Sequence, residues 1–188
     1  LIRKFLTDEL RSFYLSDIQI ERNQKALRII IRSSRPGMII GRSGDGVTKL
    51  RDKILALLTK KGISLAGQEL KLDIEEVRTP EANAAIVAMM VAEGLEKRLP
   101  FRRVLKQTLE KVLASKEVKG AKIKLSGRLG GAEMARREDL KKGLIPLQTL
   151  RADIDYAREK ANMTYGDIGI KVWIYKGQIF EKDLKNIK

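Results

Sequence analysis

Three residue sets in this chain have types and spacings that could do chemistry on a phosphate. The first is Gly41-Arg42-Ser43-Gly44. Its two glycines permit a tight turn that a polyanion can approach closely, and the residues between them offer a cation and a hydroxyl. A helix start just after it would add free N–H groups and the positive end of the dipole. The second set is Arg102, Arg103 and Lys106, placed just after Pro100. On a helix that spacing crowds three cations on one exposed side, with Leu105, Leu109 and Val112 facing inward. Their repulsion costs a few tenths of a kcal/mol per neighbouring pair, about the scale of helical charge pairs. The helix N-terminus adds to that cost, and a phosphate backbone would relieve it. The third set is Asp153-x-Asp155, two carboxylates on one face of a strand, the kind of pair a Mg²⁺-dependent nuclease uses.

The bland readings differ in weight. G-x-x-G also occurs at Gly127–Gly130 and Gly166–Gly169, so spacing alone selects nothing. Gly166-Asp167-Ile168-Gly169 puts an acid where phosphate would lie and reads as a turn, and Gly127-Arg128-Leu129-Gly130 reads as a turn with an exposed arginine. Asp153 and Asp155 have Arg151, Arg158 and Lys160 nearby, which favours ion pairs or a solvated face over a metal. There are no histidines and no cysteines, which removes the commonest general base, thiolate metal sites and disulfides. Ser33, Ser34 and Ser43 therefore have no histidine to activate them, and Gly37 to Ser43 does not fit a Walker pattern. No catalytic residue, metal site or cofactor is expected. Trp173 and Tyr175 are expected to pack, with base stacking the lesser alternative.

Charge points the same way. Lys and Arg outnumber acids 39 to 24, for a formal charge of +15 over 188 residues. Residues 101–150 hold thirteen basic residues against five acids and supply +8 of that excess. Arg128, Arg136, Arg137, Lys141 and Lys142 lie in this quarter and are further phosphate-contact candidates. Such a balance favours nucleic acid first and an anionic membrane second. No apolar run reaches the roughly 18–20 residues of a membrane span. Aromatics at 5% are too few for a reader built mainly on base stacking.

The elements that position these residues follow from period. Lys4 to Tyr14 has helical spacing; Ser16–Arg22 and Ala26–Arg32 alternate as a hairpin. Pro36 opens a short helical turn, and Val47 to Lys61 is a helix with Asp45 as its expected cap and Gly62 at its end. Leu70, Leu72 and Ile74 alternate as a third strand. The order is α-β-β-α-α-β over residues 1–78, with the glycine loop between the middle helices. Residues 79–188 form a second unit, expected to be α+β with a mostly antiparallel sheet. Thr79 is its expected first cap, followed by helices Ala82 to Leu99 and Phe101 to Val118. Strands are expected at Lys122–Ser126, Leu150–Tyr156 and Ile168–Tyr175, and Glu133 to Pro146 has no settled period.

Several stretches carry a resemblance. Gly37-Met38-Ile39-Ile40-Gly41-Arg42-Ser43-Gly44-Asp45-Gly46-Val47 is similar to the type II KH core of the small-subunit ribosomal protein three family. The runs Leu125 to Arg136 and Pro146 to Tyr156, and Thr164-Tyr165-Gly166 with Ile170 to Ile174, resemble the bacterial and organellar form over nearly the whole chain. The resemblance implies a non-enzymatic protein with an N-terminal KH type II domain and a C-terminal α+β domain. It further implies binding to small-subunit rRNA in the head, contact with neighbouring head proteins and no membrane. Its implied place is a ribosome, in the cytoplasm or in an organelle. Phe101-Arg102-Arg103-Val104-Leu105-Lys106 matches the family stretch where mRNA enters, which implies mRNA contact by Arg102, Arg103 and Lys106. The family often has two basic residues inside G-x-x-G, where this chain has Arg42 and Ser43. The chain begins at Leu1, whereas family members carry a further N-terminal segment and a variable C-terminal tail. The alternative reading is a free KH-type regulator or RNA chaperone.

Overall fold

The structure is a computed structural model that describes residues 1–24, 26–62 and 69–180. It divides into two compact units, Leu1–Arg78 and Thr79–Lys188. The first runs α1 (Ile2–Glu9), β1 (Leu15–Arg22), β2 (Ala26–Ser33), α2 (Pro36–Ile40), α3 (Asp45–Lys60) and β3 (Glu69–Glu76), the expected α-β-β-α-α-β order. Its sheet is β1-β2-β3, with β1 and β2 antiparallel and β2 and β3 parallel. Parallel neighbours cannot be joined by a tight hairpin. The chain between β2 and β3 therefore carries α2 and α3, and the glycine loop sits where those helices meet. Ile29 and Ile31 of β2 are fully buried, as are Leu6 of α1 and Ile54 of α3.

Two helix ends differ from the expected ones. α1 stops at Glu9, and Tyr14 takes a left-handed φ of 52° before β1. Contacts from the end of β2 override local helix preference there. Ser33 Oγ donates to the Phe13 carbonyl at 2.6 Å, and the Arg35 guanidinium lies 4.6 Å from the Tyr14 ring centre. Asp45 does not cap α3. It is already helical, Gly44 precedes the helix, and Asp45 instead lies 3.7 Å from Lys49 one turn on. Gly62 closes the helix as expected, at φ +69° with its N–H on the Thr59 carbonyl.

The second unit opens with a single 3-10 turn, Pro80–Ala82, followed by α4 (Ala84–Glu96) and α5 (Phe101–Ala114). Four strands follow: β4 (Gly120–Gly127), β5 (Arg136–Gly143), β6 (Ala152–Met163) and β7 (Gly166–Gln178). The expected Thr79 cap is not used for α4. Asn83 is extended and its side chain accepts from the N–H groups of Ala85 and Ile86, at 3.1 and 3.2 Å. Strand order is β5-β4-β7-β6, antiparallel throughout. The ambiguous stretch resolves as β5, an edge strand with only Glu138 and Leu140 partly buried, which is why its period was weak. β6 starts at Ala152, later than expected, because the chain before it is in a turn in which the Ala152 N–H donates to the Thr149 carbonyl at 3.1 Å, leaving Leu150 exposed. It runs on to Met163, and the turn is Thr164–Tyr165, so Gly166–Gly169 begins a strand instead of forming a turn.

One face of this sheet is covered. Val87, Val91 and Leu95 of α4 and Leu105, Leu109 and Val112 of α5 share a core with Ile123, Leu125, Ile170, Val172 and Ile174. Period-two alternation then sends the neighbouring strand residues to the opposite face, against which no described helix of this unit packs.

Candidate nucleic-acid interface

The glycine loop is built by backbone constraint. Gly41 ends α2 at φ +71°, ψ −171°, a region open essentially to glycine alone. Ser43 and Gly44 follow in left-handed conformations, at φ 54° and 84°. The sharp return brings α2 against the start of α3 so closely that a Cβ on Gly46 would lie 2.2 Å from the Ile39 carbonyl oxygen. The outcome is a rigid knuckle with Arg42 and Ser43 both exposed at its tip. Among the described residues Arg42 makes no ion pair, so its charge is available to a phosphate.

Arg102, Arg103 and Lys106 lie exposed on α5 while Leu105, Leu109 and Val112 are buried, as their spacing predicts. Their expected mutual repulsion is partly offset, however. Glu138 of β5 reaches α5, with carboxylate oxygens 3.4 and 3.3 Å from Nε and Nη2 of Arg102. The same carboxylate lies 3.9 Å from Arg136, and both guanidiniums lie close to the Phe101 ring, 5.7 and 5.6 Å from its centre. Arg103 and Lys106 make no ion pair with a described residue. Sequence reading missed Glu138 because its contact with α5 is set by strand pairing, not by nearness along the chain.

The five other basic candidates do not form one patch. Arg136 and Lys142 lie on the helix-side parity of β5, Arg137 and Lys141 on the open-face parity. Arg128 is not the exposed turn residue expected. It is partly buried, with Nε donating to the Ala132 carbonyl at 2.8 Å and Nη1 to the Tyr165 carbonyl at 3.4 Å. Its guanidinium ties two loops together through their backbone carbonyls. On the open face, Lys122 donates to Asp139 at 2.9 Å. That hydrogen bond, its charge and the further charges of Lys124 and Lys141 hold the Asp139 carboxyl below the ordinary carboxylate range.

Asp153 and Asp155 do not form a metal pair. The pairing of β6 with β7 is irregular at this point, with Lys176 the extra residue on β7, and Asp155 is committed to partners of its own. Asp155 accepts from the Ala84 N–H at 2.9 Å and lies 3.8 Å from Lys176. No cluster of carboxylates suited to a metal occurs among the described residues, and no helix there is long and apolar enough to cross a membrane. Tyr175 is buried, as a packing residue should be, whereas Trp173 is only partly covered.

Two family models match this chain, one in each half. The family described as "KH domain" matches residues 1–82, and "Ribosomal protein S3, C-terminal domain" matches residues 91–174. The "Small ribosomal subunit protein uS3" of Clostridium novyi is 47% identical over 95% of this chain and 77% of its own length. That of Caldicellulosiruptor bescii is 48% identical over the same shares. That of Pseudomonas paraeruginosa is 45% identical over 99% of this chain and 79% of its own length.

Proposed function

Because the chain belongs to the small ribosomal subunit protein uS3 family, we propose that it binds small-subunit rRNA in the head and helps line the channel through which mRNA enters. The family role is structural and not enzymatic, so the work of this chain is to hold charge and shape against RNA. The two units do so by different means. In the KH unit the glycine knuckle lets an RNA backbone come close to Arg42 and the main chain. In the second unit Arg103 and Lys106 offer cations to a strand sliding past, and Arg136, Arg137, Lys141 and Lys142 offer more to rRNA. Arg128 contributes by fixing the loops beside them.

The observation that carries the channel role is the pair Arg103 and Lys106. They stand exposed on one side of α5 with no carboxylate partner among the described residues. Replacing Arg102, Arg103 and Lys106 with alanine should leave small subunits assembled on a sucrose gradient but slow translation through stable mRNA hairpins. Equal slowing of hairpin and unstructured messages, or failed assembly, overturns the channel role. A protein that sediments free of ribosomes would instead be a KH-type regulator.

A further inference from the structure

The open face of the β5-β4-β7-β6 sheet carries a charge pattern of which the functions above use only Arg137 and Lys141, at its β5 edge. Strand pairing arranges it in rows. Asp139, Lys124, Lys171 and Arg158 lie side by side across the four strands. Lys141, Lys122, Trp173 and Tyr156 form the next row, and Arg137, Ser126, Gly169 and Lys160 the row on the other side. Adjacent strands are about 4.8 Å apart, so Lys124, Lys171 and Arg158 are three like charges directly opposite one another, an arrangement that destabilises a sheet. Lys124, Lys171 and Arg158 make no ion pair with a described residue, and neither do Arg137 and Lys141.

The first unit shows what a merely solvated sheet face looks like in the same chain. Its outer face carries Arg28, Arg32 and Lys71, and each has a carboxylate. Arg28 is bonded to Asp73, Arg32 lies 2.8 Å from Glu75, and Lys71 lies 3.5 Å from Glu69. Those partners raise the Arg28 and Arg32 pKa values. The second unit has the same kind of surface with its acids largely withheld.

Within this field stand two aromatic rings. Tyr156 is 48% exposed and lies 5.3 Å, centre to centre, from Trp173, whose other flank carries the Lys122 ammonium at 5.9 Å. An acidic protein surface would answer the cations but gives no reason for a half-exposed ring among them. An unpaired base does, since every base has a face that stacks on an aromatic ring.

We propose that this open sheet face binds a single-stranded RNA segment, with phosphates over the Lys124–Lys171–Arg158 row and a base stacked on Tyr156 beside Trp173. The inference rests on the reading of the chain as an RNA-binding ribosomal protein and adds a surface distinct from the glycine loop and α5.

Trp173 is the sole tryptophan, so the site reports on itself. The full chain is titrated with a labelled ten-nucleotide oligouridine, following anisotropy for binding anywhere and tryptophan emission for binding at this face. Saturable quenching is expected, retained in Gly44→Asp. Affinity should fall about tenfold or more in Lys124→Ala/Arg158→Ala/Lys171→Ala, with a salt slope shallower by about 2, the loss for three contacts on a single strand. If circular dichroism shows that variant unfolded, Lys124→Gln and Arg158→Gln singly should each cost about threefold. Anisotropy without quenching, at equal affinity in the variants, overturns the proposal and leaves the ribosomal role intact. No binding by either readout also overturns it, and sedimentation then tests the ribosomal role separately. Equal quenching and competition by a polyglutamate peptide overturns it in favour of an acidic protein partner.

Discussion

The Asp155 carboxylate accepts a hydrogen bond from the Ala84 backbone N–H at 2.9 Å, joining β6 to the first turn of α4 across 71 residues of chain. A helix's first N–H groups have no partner within the helix. Asn83 takes those of Ala85 and Ile86, and Asp155 takes that of Ala84. A pair of acids that could pass for a metal site is therefore split, with one member holding a helix onto its sheet.

Asp155→Ala should lower the stability of the second unit by about 1.5–3 kcal/mol, the range for a hydrogen bond to a charged group. Asp153→Ala should cost less than about 0.5 kcal/mol, as an ordinary surface change does. Urea denaturation followed by Trp173 emission measures both. Equal effects of the two substitutions would contradict the assignment.

The glycine knuckle gives a second contrast. A Cβ on Gly46 meets the Ile39 carbonyl oxygen, whereas one on Gly44 meets nothing within 4 Å. Gly44→Ala pays only for its positive φ, about 1–2 kcal/mol. Gly46→Ala must force α2 and α3 apart and should cost about 3 kcal/mol or more. Thermal melting of the two variants checks the order, and a milder Gly46→Ala would mean that the helices separate easily.

The open sheet face predicts a pH response. Asp139 titrates below its unfolded value of about 3.9. Its contribution to stability is thus fully present above that value and is lost as pH falls through the lower folded value. The group is half exposed, so the contribution stays under about 1 kcal/mol. Lys122→Gln removes the main cause, and carbon-detected NMR should show the Asp139 titration moving up toward the ordinary range. An unmoved titration would assign the shift to other groups.

What was legible in the sequence followed from local periodicity. β2, α3 and α5 each bury the residues their spacing selects, and the glycine loop falls between the helices its flanks require. Partners across the sheet were not legible. Glu138 faces Arg102, Asp155 faces Ala84, and Lys171 stands beside Lys124 and Arg158 only once four strands take their register. The basic residues at Arg158 and Lys160 did carry a signal, since they alternate with Ala157, Glu159 and Ala161 along β6. That alternation marks one outward face, but not which cations lie next to it. Edge strand β5 was ambiguous for the same reason: its structure comes from pairing with β4 more than from burial of its own side chains.

Glu138 makes the three cations of α5 unequal, and this yields a last prediction. Its carboxylate already engages Arg102, at 3.3 Å from Nη2 and 3.4 Å from Nε, while Arg103 and Lys106 have no ion-pair partner among the described residues. A phosphate that recruits Arg102 must compete with that carboxylate, and one that recruits Arg103 or Lys106 need not. Losing Arg103 and Lys106 together should therefore weaken single-stranded RNA binding more than twice as much, in free energy, as losing Arg102. The salt slope should become shallower by about 1.4 for the pair and by less than about 0.7 for Arg102, following the per-phosphate value for single strands. Glu138→Gln keeps the side chain's shape but removes its charge, so it should tighten binding several-fold, and only when Arg102 is present. A double-mutant cycle between Glu138→Gln and Arg102→Ala measures that dependence. If the two changes add without coupling, or if Glu138→Gln weakens binding, Glu138 positions Arg102 for RNA instead of competing with it, and the ranking of the three cations is wrong.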